Sequence, residues 1–291
     1  MSDQSEIVLR VASARKLAEE WALVLTAEGL TPSLRQASEG FALGVPMEEA
    51  EQGQAVLSSY ERENPAEPHG IEEPAGYAHV VTGLAIAGAL VLFFLVTGAR
   101  DPVVHWFAQG SADAERILRG EFWRAVTALT LHADVGHVLA NGIAIAVFLG
   151  VLCRGLGSGV ACALVLLAGA GGNVVNAFFR GSLHISVGAS TSVFGAVGLL
   201  AGLGTGQIRR RGARGRSAWM PIVAGLALLA MLGIGGESVD IWAHFFGFLV
   251  GGVLGLLVAL GVSRPPRARV QWILGSVSLA VVLYCWAIAL S

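Results

Sequence analysis

The stretch Val187-Gly188-Ala189-Ser190-Thr191-Ser192-Val193-Phe194-Gly195-Ala196-Val197-Gly198 opens an apolar segment that runs to about Gly206. A serine at the mouth of a membrane helix, set among small residues, has two readings. Gly and Ser let neighbouring helices approach closely, so the pattern can be packing alone. The other reading is a buried nucleophile, which needs a base. His244 offers one, in Ala243-His244-Phe245-Phe246-Gly247-Phe248-Leu249-Val250-Gly251 inside a second apolar segment. An ionisable residue within a membrane span is a functional candidate.

The 291 residues have a mean hydropathy of +0.66 and only 14% are charged. Most acidic residues lie before residue 75, and the remainder is strongly apolar. Such asymmetry implies a small soluble part followed by a membrane domain. A net charge of −2 gives no reason to expect nucleic acid. The polar start Met1-Ser2-Asp3-Gln4-Ser5-Glu6 does not read as a signal peptide. Cys153, Cys162 and Cys285 fall in or beside apolar segments, with neither a disulfide framework nor zinc spacing. Neither a metal nor a cofactor is expected.

Residues 1–62 read as a small soluble α+β domain of order β-α-β-β-α. Ile7 to Val11 suits a strand, Ser13 to Gly29 an amphipathic helix, Pro32 to Arg35 and Gly40 to Gly44 two strands, and Met47 to Arg62 a second helix. The order weakly resembles small ferredoxin-like accessory domains of bacterial membrane proteins. Nothing in it looks catalytic; an unknown cytoplasmic ligand is its candidate partner. Residues 63–76, rich in Pro, Gly and Glu, form a linker that cannot build a core.

Seven apolar segments follow, each near the length a helix needs to cross a bilayer. They are 77–98, 135–153, 157–179, 189–206, 218–234, 239–262 and 270–290. Residues 77–262 then form the membrane core, and 263–291 add a C-terminal helix. Short loops rich in Arg mark the cytoplasmic side. Arg209, Arg210, Arg211, Arg214 and Arg216 follow the fourth segment, Arg264, Arg267 and Arg269 the sixth, and Arg154 the second. The N-terminus is therefore expected in the cytoplasm and the C-terminus outside. The first outer loop, Ala99 to about Asp134, mixes aromatic, apolar and charged residues, which suits short amphipathic helices at headgroup depth.

Depth tests the Ser190–His244 pair. The fourth and sixth segments both descend from the outer side, and His244 lies about 7 to 8 Å below the start of the sixth at Val239. A slightly sunken fourth helix would bring the two to one level, as an activated serine requires. Ser190 also sits at a helix N-terminus, where free N–H groups and the dipole favour negative charge. The second segment brings His137 and Asn141, at i and i+4, to one helix face near the same depth. They can stabilise an oxyanion or serve as interhelical hydrogen-bonding glue. Asp240, four residues before His244, suits a helix-terminal carboxylate better than a triad member. His79, His105 and His184 look interfacial.

Taken together, Gly188-Ala189-Ser190-Thr191, Ala243-His244-Phe245-Phe246-Gly247 and the run from His132 to Asn141 resemble the rhomboid family of intramembrane serine proteases. Glu121-Phe122-Trp123-Arg124 is similar to that family's Trp-Arg element. The resemblance covers about Tyr77 to Val262. It implies an all-α polytopic fold with a six-helix core, here with a seventh helix added. It implies a Ser190–His244 dyad without an essential Asp, and an oxyanion site of Asn141, His137 and the Ser190 N–H. Gly188, Phe194, Gly247 and Gly251 would support the site by packing or stacking, and Trp123 and Arg124 would stabilise the outer loop. Substrates would be transmembrane proteins in the lipid bilayer, and the location a bacterial inner membrane.

Thr191 stands where the family commonly has Gly, and Phe194 brings no phenolic hydroxyl. The alternatives are a catalytically inactive relative that binds membrane helices, and a transporter. No internal repeat favours the transporter.

Overall fold

The computed structural model describes residues 6–12, 14–37, 40–64, 78–101, 105–181, 184–210, 216–233, 240–261 and 266–291. Nearly all of the expected linker, and residues 234–239 at the junction of the expected fifth and sixth segments, lie outside the described residues. The chain forms two compact units, Met1–Ala75 and Gly76–Ser291.

The first unit has the order expected from its sequence: β1 (Glu6–Ala12), α1 (Arg15–Ala27), β2 (Ser33–Ala37), β3 (Gly40–Pro46) and α2 (Ala50–Glu63). The strands form an antiparallel sheet in the order β1-β3-β2. Leu25, Leu43, Val45 and Leu57 close a core against Leu9 and Trp21.

The second unit begins with α3 (Ala78–Thr97) and then a long connection. That connection holds α4 (His105–Gly110), β4 (Ala112–Asp113), α5 (Ala114–Leu118) and α6 (Arg124–Thr127), with a 3-10 turn at Ala128–Thr130. Then come α7 (Val135–Leu156), α8 (Ser158–Arg180), β5 (Ile185–Ser186), α9 (Ser190–Arg210), α10 (Arg216–Gly233), α11 (Ile241–Gly261) and α12 (Ala268–Ala289). Among the described residues, six helices are long and apolar enough to cross a membrane: α3, α7, α8, α9, α11 and α12. The chain is a multi-pass membrane protein. The fifth expected segment falls on α10, whose shorter apolar run is Trp219–Leu228 and whose Pro221 interrupts the helical ladder in its second turn. Helix α9 runs a turn beyond its expected end. The Arg209 guanidinium stacks over Trp219 at 4.8 Å, and Arg210 Nη1 donates to the Ala259 carbonyl at 2.8 Å, so both arginine stems cover apolar surface.

The most extensive helix contact in the second unit is between α9 and α11. It is nearly backbone on backbone. A side-chain carbon added at Gly247 would strike the Thr191 carbonyl, one at Gly251 the Gly195 carbonyl, and one at Gly255 the Leu199 carbonyl. Each glycine is one turn from the next on α11, and each facing residue one turn from the next on α9. Close approach of this kind drives helix association where lipid leaves no hydrophobic force between helices. The connection between α3 and α7 is tied by Arg124. It is 1% exposed, pairs with Glu121 at 2.6 Å, and donates to the Ala108 and Ser111 carbonyls at 3.1 and 3.3 Å.

Gly251→Val should force α9 and α11 apart and destabilise the fold by about 1–3 kcal/mol. A thermal melt in detergent that matched wild type would show that the contact is slack.

Candidate active site

The serine lies at the first turn of α9, and the segment before it is held by the long connection. Ala114 N–H donates to the His184 carbonyl at 2.9 Å. Strands β4 and β5 pair antiparallel, Ala112 with Ser186 and Asp113 with Ile185. Gly188 N–H donates to the Ala128 carbonyl at 2.9 Å, and Ala189 N–H to His132 Nε2 at 3.4 Å. Two successive amides are thus committed, and the next, that of Ser190, opens the helix, where no intrahelical acceptor exists. Gly188 has φ +127°, a conformation other residues reach only with strain.

A cavity of about 1020 Å³ is lined by Ser190, His244, His137, Asn141, Asp240 and His184, among others. His244 is 6% exposed, and its ring lies against Phe194 at 4.5 Å between centroids with a 34° tilt. Phe194 is one turn below Ser190, and Thr191 backs onto Gly247 one turn below His244. The α9–α11 contact therefore carries both residues to the lining of one cavity.

His137 and Asn141 reach the same place from α7. A side-chain carbon at Gly188 would lie 2.7 Å from His137 Nε2 and 3.6 Å from Asn141 Nδ2. Ala133 N–H donates to His137 Nδ1 at 3.3 Å. In the neutral ring the proton then sits on Nε2, the nitrogen facing Gly188. Asn141 Nδ2 is buried without a protein partner among the described residues. Two N–H donors thus converge on the loop before Ser190 from one face of one helix.

Residues 119–261 match the Rhomboid domain family. The Bacillus subtilis protein YdcA, whose name assigns it to the rhomboid proteases, is 30% identical over 183 residues, covering 62% of this chain and 88% of YdcA. The chain belongs to the rhomboid family. Rhomboid protease GluP of Bacillus subtilis is 32% identical over 121 residues, 41% of this chain and 24% of GluP. RHOMBOID-like protein 4 of Arabidopsis thaliana is 31% identical over 191 residues, 60% of this chain and 47% of that protein. The chain thus spans most of YdcA but less than half of the other two.

The rhomboid's cavity is also lined by His184 and Asp240, whose pairing sequence reasoning did not foresee. His184 is held by two partners. Its Nε2 donates to Asp240 Oδ2 at 2.5 Å, and Arg180 Nη2 reaches its Nδ1 at 3.4 Å. Asp240 also accepts from Asn176 Nδ2 at 2.7 Å and from the Ala243 N–H at 3.1 Å. It therefore caps α11 while tying it to α8. Burial works to raise the Asp240 carboxyl, but the bonds from His184, Ala243 and Asn176 outweigh it and hold the pKa below the ordinary value. His132, fully buried, is the clamp on Ala189. It stood inside the quoted run, but only its tertiary contact reveals that role. Trp123 lies at the start of α6, beside Arg124, in the apolar cluster under the long connection.

Burial, with the nearby His137, pushes the His132 pKa down to about 4. Its folded value is below the unfolded one of about 6.5, so protonation favours unfolding. Stability should be full above pH 6.5 and fall as the pH drops towards 4, by up to about 3 kcal/mol. His132→Gln keeps an acceptor for the Ala189 N–H and should lose that part of the slope. Melting curves of both proteins between pH 7 and 4 that ran parallel would contradict it.

Proposed function

We propose that this rhomboid is a serine endopeptidase that cleaves transmembrane segments of other proteins within the bilayer, with Ser190 as nucleophile and His244 as base. The observation that carries this reading is the convergence on one cavity of Ser190, His244 and the donors of His137 and Asn141. His244 takes the Ser190 proton as Oγ attacks the scissile carbonyl. The oxyanion that forms is met by Asn141 Nδ2–H, His137 Nε2–H and the Ser190 N–H, fixed donors aimed where charge develops. His244 then gives its proton to the leaving amine and an acyl-enzyme remains. Water, deprotonated by His244, attacks that ester and releases the second product with Ser190 restored. Asp240 stays outside the dyad, as cap and tie of the helix that carries the base. Gly188 leaves room for His137 and Asn141 beside the serine, and Phe194 supports the His244 ring.

In this reading the Ser190 end of the membrane unit faces outside. The N-terminal residues 1–62 and the linker 63–76 lie in the cytoplasm of a bacterial cell, 77–262 form the catalytic core, and 263–291 add a helix that ends outside. Water reaches Ser190 through the cavity mouth, and substrate enters from lipid. Helix α10 supports a lateral route. It packs on α9 and less extensively on α11, and makes no extensive contact with α7 among the described residues, so it can yield without breaking the α9–α11 core.

Ser190→Ala and His244→Ala should each abolish cleavage of a model transmembrane substrate in a folded, inserted protein, and Ser190→Ala should abolish labelling by a fluorophosphonate. Asn141→Ala should lower turnover about 10- to 1000-fold with little change in substrate affinity. Retained cleavage by purified Ser190→Ala would sink the proposal.

A disulfide pinning α10 to α7 near the Ser190 end should slow cleavage of transmembrane substrates and leave small soluble esters nearly unaffected. Equal slowing of both would place the access route elsewhere.

A further inference from the structure

Helix α12 lies beyond the matched Rhomboid domain, residues 119–261, yet one end of it is built into the loop that holds Ser190. Trp286 is buried, and its Nε1–H donates to Thr130 Oγ1 at 3.1 Å. The same hydroxyl donates to the Thr127 carbonyl at 2.7 Å. One hydroxyl thus joins α12 to the turn Ala128–Thr130. Both amide clamps on the serine loop spring from this turn or just after it: the Ala128 carbonyl holds Gly188, and His132 holds Ala189. The apolar contacts converge there too. Trp286 shares a cluster with Leu131, between the two clamps, and with Val187, the residue before Gly188. Phe93 and Trp106 close round its ring at 5.3 and 5.4 Å between centroids. Trp272, near the other end of α12, is 78% exposed by contrast.

A buried indole N–H usually finds a hydrogen-bond partner. Here the partner is the turn on which Gly188 and Ala189 hang. We infer that Trp286 is a positioning residue: through Thr130, Leu131 and Val187, α12 holds the Gly188–Ala189 peptide in the geometry that aims Ser190 at the cavity. The catalytic part of this inference rests on Ser190 being the nucleophile.

The test uses the full-length protein in detergent with Trp286→Phe, Thr130→Val and the double variant, and Trp272→Phe as control. Amide hydrogen exchange at Gly188 and Ala189 reads the loop without reference to catalysis. The rate of fluorophosphonate labelling at Ser190, and kcat and KM for a transmembrane substrate, read its effect on the chemistry. Each single variant should speed exchange at the two amides, and should lower labelling and kcat about three- to tenfold with KM within about twofold. The double variant should be little worse than either single one, because they remove the same bond. Trp272→Phe should match wild type. A lowered Tm with unchanged exchange and unchanged kcat would reduce Trp286 to a helix anchor and overturn the inference. Absence of labelling at Ser190 in wild type would instead remove the nucleophile reading and with it the catalytic part, while exchange alone would still decide whether α12 holds the loop.

Discussion

The contact of α9 with α11 through glycine is the constraint on which the rest of the site depends. Thr191, Gly195 and Leu199 present carbonyls to Gly247, Gly251 and Gly255, turn by turn. Interlocking at this range fixes the axial register of the two helices, since a shift of one residue would set side chains against backbone. Ser190 and His244 each stand at most one turn from the first of these contacts. Helix packing therefore brings both residues to the lining of one cavity. The Phe194 ring, in the same interface, fills the space beneath the imidazole.

Around this rigid pair the polar groups are disposed economically. Backbone amides at membrane depth must be satisfied by protein or water. Those of Gly188 and Ala189 are committed to the long connection, while Ser190 and Asn141 line the cavity. The backbone N–H of Ala133 selects the His137 tautomer and so turns its Nε2–H towards the same point. His132 and His137 meet edge to face at 5.2 Å, an approach suited to two neutral rings. The carboxylate nearest His244 in sequence, Asp240, is occupied by His184, Asn176 and the Ala243 amide, so its charge is spent on holding α11 to α8.

The connection between α3 and α7 emerges as the scaffold of the serine loop. Its buried Arg124 gathers the carbonyls of Ala108 and Ser111, its strand β4 pairs with β5, and its 3-10 turn clamps Gly188. Helix α12 supports the turn from behind. Gln271, at the other end of α12, accepts from the Val160 N–H at 3.0 Å and donates to the Leu156 carbonyl at 2.8 Å. These bonds close the corner between α7 and α8.

The apolar runs by themselves located six of the seven expected spans, because length and hydropathy are local properties that a bilayer reads directly. The small soluble domain was legible for a similar reason, from the alternation of strand and helix periods. Spacing alone also placed His137 and Asn141 on one face of α7, whereas the close packing at Gly247 and Gly251 was expected only from the family resemblance. What only the tertiary structure decided were the single polar contacts between distant residues: His132 with Ala189, His184 and Asn176 with Asp240, and Trp286 with Thr130. None has a period or a motif. Each depends on two segments meeting at one angle and one depth, and a residue such as His184 reads as interfacial until the fold brings Asp240 within 2.5 Å of it. Sequence carries the local free energies that make helices and put them in the membrane. The long-range contacts that orient a serine, a histidine and their donors exist only once the helices have packed.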